Sequence, residues 1–198
     1  MAKLTLDDIA EPRAYERQRA AFRDNVIAAK RVRRVGLGPV VTLVFENALT
    51  VRFQIQEMAR AERMLTDAQI QTELDTYNPL IPEAGQLSAT LFLELVYKAE
   101  LEEWLPKLVG IERSIAFHLG SGAATSVVPA VVEEEHASHL SRETITASVH
   151  FLRFEFTPSQ VVAFAHEPVS LVAQHPAYAA TTALSEVTRE SLLEDLQG

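Results

Sequence analysis

The second half of this chain alternates short apolar runs with short connections, and that spacing is its strongest constraint on fold. Residues 87–96, 114–119, 146–156, 169–174 and 178–183 are rich in β-branched, aromatic and other apolar residues and are broken by Gly, Pro, Asn or Ser, the pattern of strands. Loops and brief helices join them, so an antiparallel sheet with helices packed on it is expected in place of regular βαβ winding. The predicted fold class is α+β: a single domain over residues 1–198, its antiparallel β-sheet packed with N-terminal helices and a C-terminal helix.

The first half supplies the helices. Pro12 stands where a first helical residue loses nothing by lacking an N–H, and Tyr15, Phe22, Val26 and Ala29 recur on one stripe of a helix running to about Val32. Gly36, Gly38 and Pro39 stop it. After a β-branched run at 40–45, Asn47 is a cap for a helix over 50–64, and Thr66 with Gln69 forms a capping box for another that ends before Asn78 and Pro79. Thr157 with Gln160, and Ser185, cap two more helices near the C-terminus. Residues 120–144 combine Gly120, Gly122, Pro129 and Glu133–Glu135, and are expected to be an irregular, mobile insertion.

Composition narrows the chemistry. With no cysteine among 198 residues, disulfide scaffolds, thiolate metal sites and cysteine nucleophiles drop out. The first ten residues lack the apolar core of a signal peptide, so the expected location is cytoplasmic. A 19-residue stretch from 114 to 132 carries no formal charge, yet His118, Gly120, Gly122 and Pro129 within it argue against a membrane span. A net charge of −9 disfavours nucleic-acid binding. Serine-hydrolase, phosphate-loop and dinucleotide motifs do not occur.

Polar residues inside apolar strands are the first site candidates, because a buried titratable group must be paired or coordinated. Glu94, His118 and His150 each interrupt such a run. If their strands were neighbours they would form a two-histidine, one-carboxylate set suited to a divalent iron or zinc ion; the plainer alternative is two hydrogen-bonded histidines and a solvated glutamate. His136 and His139, three apart behind three glutamates, are a weaker metal candidate. Glu57 and Arg60 pair along one helix or line a cleft against the sheet. The cations Lys30, Arg31, Arg33 and Arg34 end the first helix, where they complement its dipole or meet an acidic partner.

Several stretches carry a family resemblance: Phe45-Glu46-Asn47, Gln54 to Met58 with Arg60 to Arg63, Glu73-Leu74 with Tyr77-Asn78, Leu108 to Glu112, and Ser148 to Phe154. The chain resembles, over almost its whole length, the bacterial family called domain of unknown function 3501. That family has no assigned activity. The resemblance implies an accessory role beside rubrerythrin-like and iron–sulfur oxidoreductase proteins, and it directs attention to Glu57, Arg60, Asn78, His150 and Arg153 as a functional cleft. The leading expectation is an accessory binding protein with a protein partner in a redox system. The rivals are a metal-dependent enzyme with a His/carboxylate site and a structural homodimer that buries residues 114–132.

Overall fold

A computed structural model describes residues 2–132 and 145–198 of the chain. Its strands are β1 (Arg34–Leu37), β2 (Val41–Glu46), β3 (Gln86–Leu93), β4 (Ile115–Leu119), β5 (Ser126–Val132), β6 (Val149–Glu155), β7 (Val169–His175) and β8 (Tyr178–Ala183). They form one sheet in the order β1-β2-β3-β6-β5-β4-β7-β8, with every neighbouring pair antiparallel, as the short connections require. The helices are α1 (Pro12–Val32), α2 (Ala48–Ala61), α3 (Asp67–Tyr77), α4 (Lys98–Lys107), α5 (Pro158–His166) and α6 (Glu186–Gln197). Among the described residues no helix is long and apolar enough to cross a membrane.

The sheet curls until its two edges meet through side chains. Tyr178 Oη donates to Leu37 O at 2.5 Å and Thr182 Oγ1 to Gly36 O at 2.8 Å, giving a nearly closed barrel whose edge strands are covered rather than left open to pairing. Gly38 lies at this seam with φ +74, and a Cβ there would overlap the Tyr178 hydroxyl, so both backbone and space exclude a side chain. Inside, the Phe117 ring meets Phe45, Phe154, Phe156 and Phe164 at centroid separations of 5.7, 4.8, 5.7 and 5.8 Å. Truncating it to Ala would cost about 3–5 kcal/mol. Phe164 of α5 and Leu192 and Leu196 of α6 join this interior.

A second, smaller core lies on the outside. Val51 and Ile55 of α2, Leu74 of α3, Leu80 and Ile81 cluster there with Phe151 of β6 and with Leu4 and Ile9 of the N-terminal segment. Strand β2 is therefore buried on both faces along its length, which explains why it reads as a continuous apolar run. The helix signals behave as expected. Asn47 Oδ1 accepts from Thr50 N at 3.1 Å while Asn47 N donates to Thr50 Oγ1 at 2.9 Å, a reciprocal cap that starts α2 and contributes about 1 kcal/mol.

Two strands depart from expectation. Arg34–Leu37, read in sequence only as the stop after α1, pairs with β2; Gly36 hid its strand character. Residues 126–132, expected to be irregular, are β5 in the middle of the sheet. Its Ser126–Pro129 half pairs with β4 and its Ala130–Val132 half with β6. Pro129 thus sits where the strand changes partners, a position at which a missing N–H is tolerated. Residues 133–144 of the predicted insertion lie outside the described residues.

The basic end of α1 is divided between inside and outside. Arg33, 2% exposed, donates to Phe45 O, Glu46 O, Ser191 and the Asp195 carboxylate, tying α1 to β2 and α6. Burial raises the Asp195 pKa and the Arg33 charge opposes that rise.

Candidate functional site

Residues 2–11 form a strap across α2 and α3, held by two side-chain amides that each imitate one rung of a β-ladder. Buried Gln56 accepts from Ala10 N and donates to Ala10 O, both at 2.9 Å, and Asn78 does the same to Leu4, also at 2.9 Å twice. Lys3 Nζ adds bonds to the carbonyls of Asn78 and Ile81 at 3.1 and 2.7 Å. Between this strap, the first turns of α1, the end of α2 and the start of α3 lies a groove of about 340 Å³, within the range of ligand sites. Leu6, Ile9, Pro12, Ala59, Met64 and Ile70 give it an apolar lining, with Arg60, Arg63, Glu16 and Asp67 among its polar residues.

Beside the groove, between α1 and α2, lies a charged network. Arg19 Nε and Nη2 donate to the two carboxylate oxygens of Glu57 at 2.8 Å each, and Tyr15 Oη donates to Glu57 Oε1 at 2.6 Å. Beside it Arg60 Nε donates to Glu16 Oε1 at 2.5 Å. The Arg19 hydrogen bonds lead the causes that hold the Glu57 carboxyl at about 2, against a smaller opposing effect of burial. Burial first, and then Glu57, push the Tyr15 hydroxyl above its ordinary range. A general acid or base works best with a pKa near the operating pH, and these two groups are driven away from neutrality in opposite directions. The network is suited to holding a shape.

At the groove edge, α2 ends in a Schellman turn. Met64 N donates to Ala59 O at 2.9 Å and Arg63 N to Arg60 O at 3.4 Å, which puts Arg63 in the left-handed position usually given to glycine, with φ 55. Its side chain is exposed and has no ion pair among the described residues. Retained strain of this kind is a pointer to function. Leu65, 79% exposed, follows it on the same rim.

Comparison with known proteins covers this whole architecture. The family model described as protein of unknown function DUF3501 matches residues 3–196. The chain belongs to that family. Among solved structures, the crystal structure of a novel protein of unknown function from Burkholderia pseudomallei is 33% identical, with a TM-score of 0.88, covering 98% of this chain and 100% of that one. No curated protein matches. The strap and helices α1 to α3 therefore fall within a fold that this DUF3501 protein shares end to end with its Burkholderia relative.

The predicted cleft residues scatter over this DUF3501 fold. Arg60 lines the groove, whereas Glu57 is turned to α1, where it bonds Tyr15 and Arg19. Asn78 instead clamps the strap, and His150 and Arg153 lie on opposite faces of β6. His150 is 1% exposed, with Nε2 2.9 Å from Thr146 Oγ1 and 3.0 Å from Ala147 O, while Arg153 is on the outward face with an ion pair to Glu155 at 3.5 Å.

The three-residue metal set is not assembled either. Glu94 is 44% exposed beyond the end of β3, bonded to Arg34 and to Thr42 Oγ1 at 3.0 Å. His118 pairs across β4 with Val127 and Ser170 on the outward face, whereas His150 opposes Leu91 and points inward. Alternation along each strand was readable; which face each histidine would take relative to the other depended on strand pairing. Among the described residues no three His, Asp or Glu gather as metal ligands. His136 and His139 lie outside the described residues.

Sequence reasoning missed Arg19 and Glu16, gave Gln56 and Arg63 no role beyond the family-like stretches of α2, and read Tyr15 only as core. The available signal was the 15/19 spacing on α1 opposite 57/60 on α2, which becomes meaningful once the two helices are known to pack.

Proposed function

We propose that this DUF3501 protein is a noncatalytic binding protein that takes an apolar side chain of a partner protein into the groove beside its N-terminal strap. The observation that carries the reading is the groove itself: an apolar cavity of about 340 Å³ edged by the strained Arg63, which has no ion pair among the described residues, and by the exposed Leu65. Buried apolar anchors ringed by polar contacts are what make a small interface tight. The fixed protonation of Glu57 and Tyr15 supports binding over acid–base catalysis. The family resemblance supports an oxidoreductase, rubrerythrin-like or iron–sulfur, as the partner.

The test mixes the purified chain with purified rubrerythrin-like and ferredoxin-type proteins of the same organism and measures binding by calorimetry. Binding is expected, and Leu65→Glu is expected to abolish it without lowering the unfolding temperature. Failure to bind either class, or indifference to Leu65→Glu, rejects the reading.

A second reading, a His/carboxylate metal site and with it a metal-dependent enzyme, is favoured by one pair. Buried Glu112 has no hydrogen-bond partner for Oε2 among the described residues and acts electrostatically on His150. Stoichiometric iron or zinc in the purified protein, lost in Glu112→Gln, would support that reading; a metal-free protein that binds its partner would reject it.

A further inference from the structure

We propose that a second cavity, between the outward face of the sheet and helices α1 and α2, binds a small zwitterion of amino-acid size with an apolar side chain. The cavity measures about 210 Å³ and shares no lining residue with the groove. At roughly 30 Å³ per water it holds the volume of about seven waters, enough for one compact organic molecule.

Its charged groups are two of opposite sign that do not meet, with Gln54, Thr90 and Tyr77 as further polar lining. Glu46, the last residue of β2, is 8% exposed; Oε1 accepts from Thr90 Oγ1 at 2.8 Å, and no described residue donates to its other oxygen. Lys30, half-buried in the last turn of α1, lines the same space and makes neither a hydrogen bond nor an ion pair with any described residue. That oxygen is left to solvent or to a ligand, and a charged donor there makes a stronger hydrogen bond than a neutral one. An ammonium group set against Glu46 supplies such a donor, and a carboxylate on the same molecule reaches Lys30. A ligand with only one of these charges leaves the other protein charge unanswered.

The remaining walls choose the side chain. Phe92, Phe151 and Tyr77 line the cavity, and their aromatic surface suits an aliphatic or aromatic group. Chain folding explains the arrangement: Glu46 and Thr90 lie on adjacent outward positions of β2 and β3, two residues out of direct register, while α1 delivers Lys30 from above.

The test titrates the full chain with L-phenylalanine, L-leucine, phenethylamine and 3-phenylpropionate by calorimetry at ligand concentrations up to about 1 mM. L-phenylalanine is expected to bind, and each analogue, lacking one charge, to bind about tenfold or more weakly. Glu46→Gln and Lys30→Met should each weaken L-phenylalanine by a similar factor; Lys30→Met and the analogue series on the unaltered protein decide the matter should Glu46→Gln not fold. The proposal is overturned if neither L-phenylalanine nor L-leucine binds, if the analogues bind as well as the zwitterion, or if Lys30→Met leaves affinity unchanged.

Discussion

Replacing Glu57 by Gln tests the physical account of the network between α1 and α2 most directly. Glu57 accepts three hydrogen bonds, two from Arg19 and one from Tyr15. An amide at this position turns one of its two heads into a donor facing a donor. A carboxyl held at about 2 instead of 4.5 corresponds by linkage to about 3 kcal/mol. Solvent reaches the pair, whose side chains are 30% and 26% exposed, and screening reduces the expected value to about 1–2 kcal/mol. For a chain of this size that lowers the unfolding temperature by about 2–8 °C.

The pH dependence separates charge from shape. A depressed carboxyl contributes stability that is complete above its unfolded value of 4.5 and disappears as pH falls toward about 2. Urea unfolding of both proteins should therefore show the full difference at neutral pH and roughly half of it at about pH 3. An equal difference at both pH values would refute the electrostatic reasoning and leave only a packing defect.

Three further outcomes follow from the same structure. Arg63→Gly relieves the left-handed strain and should raise stability by about 1 kcal/mol, seen as a gain of about 2–4 °C in calorimetry; a lower unfolding temperature would contradict the Schellman assignment. Gly38→Ala should cost about 2–4 kcal/mol by forcing a side chain into φ +74 against the Tyr178 hydroxyl, and combining it with Tyr178→Phe should cost less than the sum of the two. His150 has its pKa lowered chiefly by burial, with Glu112 and Ala147 opposing. The unfolded chain therefore takes up its proton first, near 6.5, and stability falls as pH drops below that value. In His150→Gln this part of the pH slope should vanish from denaturation curves, and an unchanged slope would show that the imidazole is not the group responsible.

Much of the helical structure was legible because its signals are local. The caps at Asn47, Thr66, Thr157 and Ser185 act over three residues, and each starts the helix expected of it. Antiparallel pairing was legible for a similar reason, since connection length limits crossover. Strands β1 and β5 were not, because Gly36 and Pro129 are poor strand residues whose conformation is imposed by the neighbours they pair with.

The site was legible only in fragments. Glu57 and Arg60 were expected to line a cleft against the sheet; they pair instead with Tyr15, Arg19 and Glu16 of α1, about forty residues earlier in the chain, and only Arg60 lines the groove. Asn78 drew attention as a cleft residue and proved to be a clamp on Leu4.

By itself the sequence determined which segments are helical, which alternate, and which chemistries are closed to a chain without cysteine. Only the tertiary structure decided that His118 and His150 face opposite sides of the sheet, that the sheet closes through Tyr178 and Thr182, and that Lys30 and Glu46 share a cavity. The physical reason is range. Caps and periodicity act between neighbours along the chain, whereas register and cavities arise from contacts whose partners are set by the packing of the whole domain.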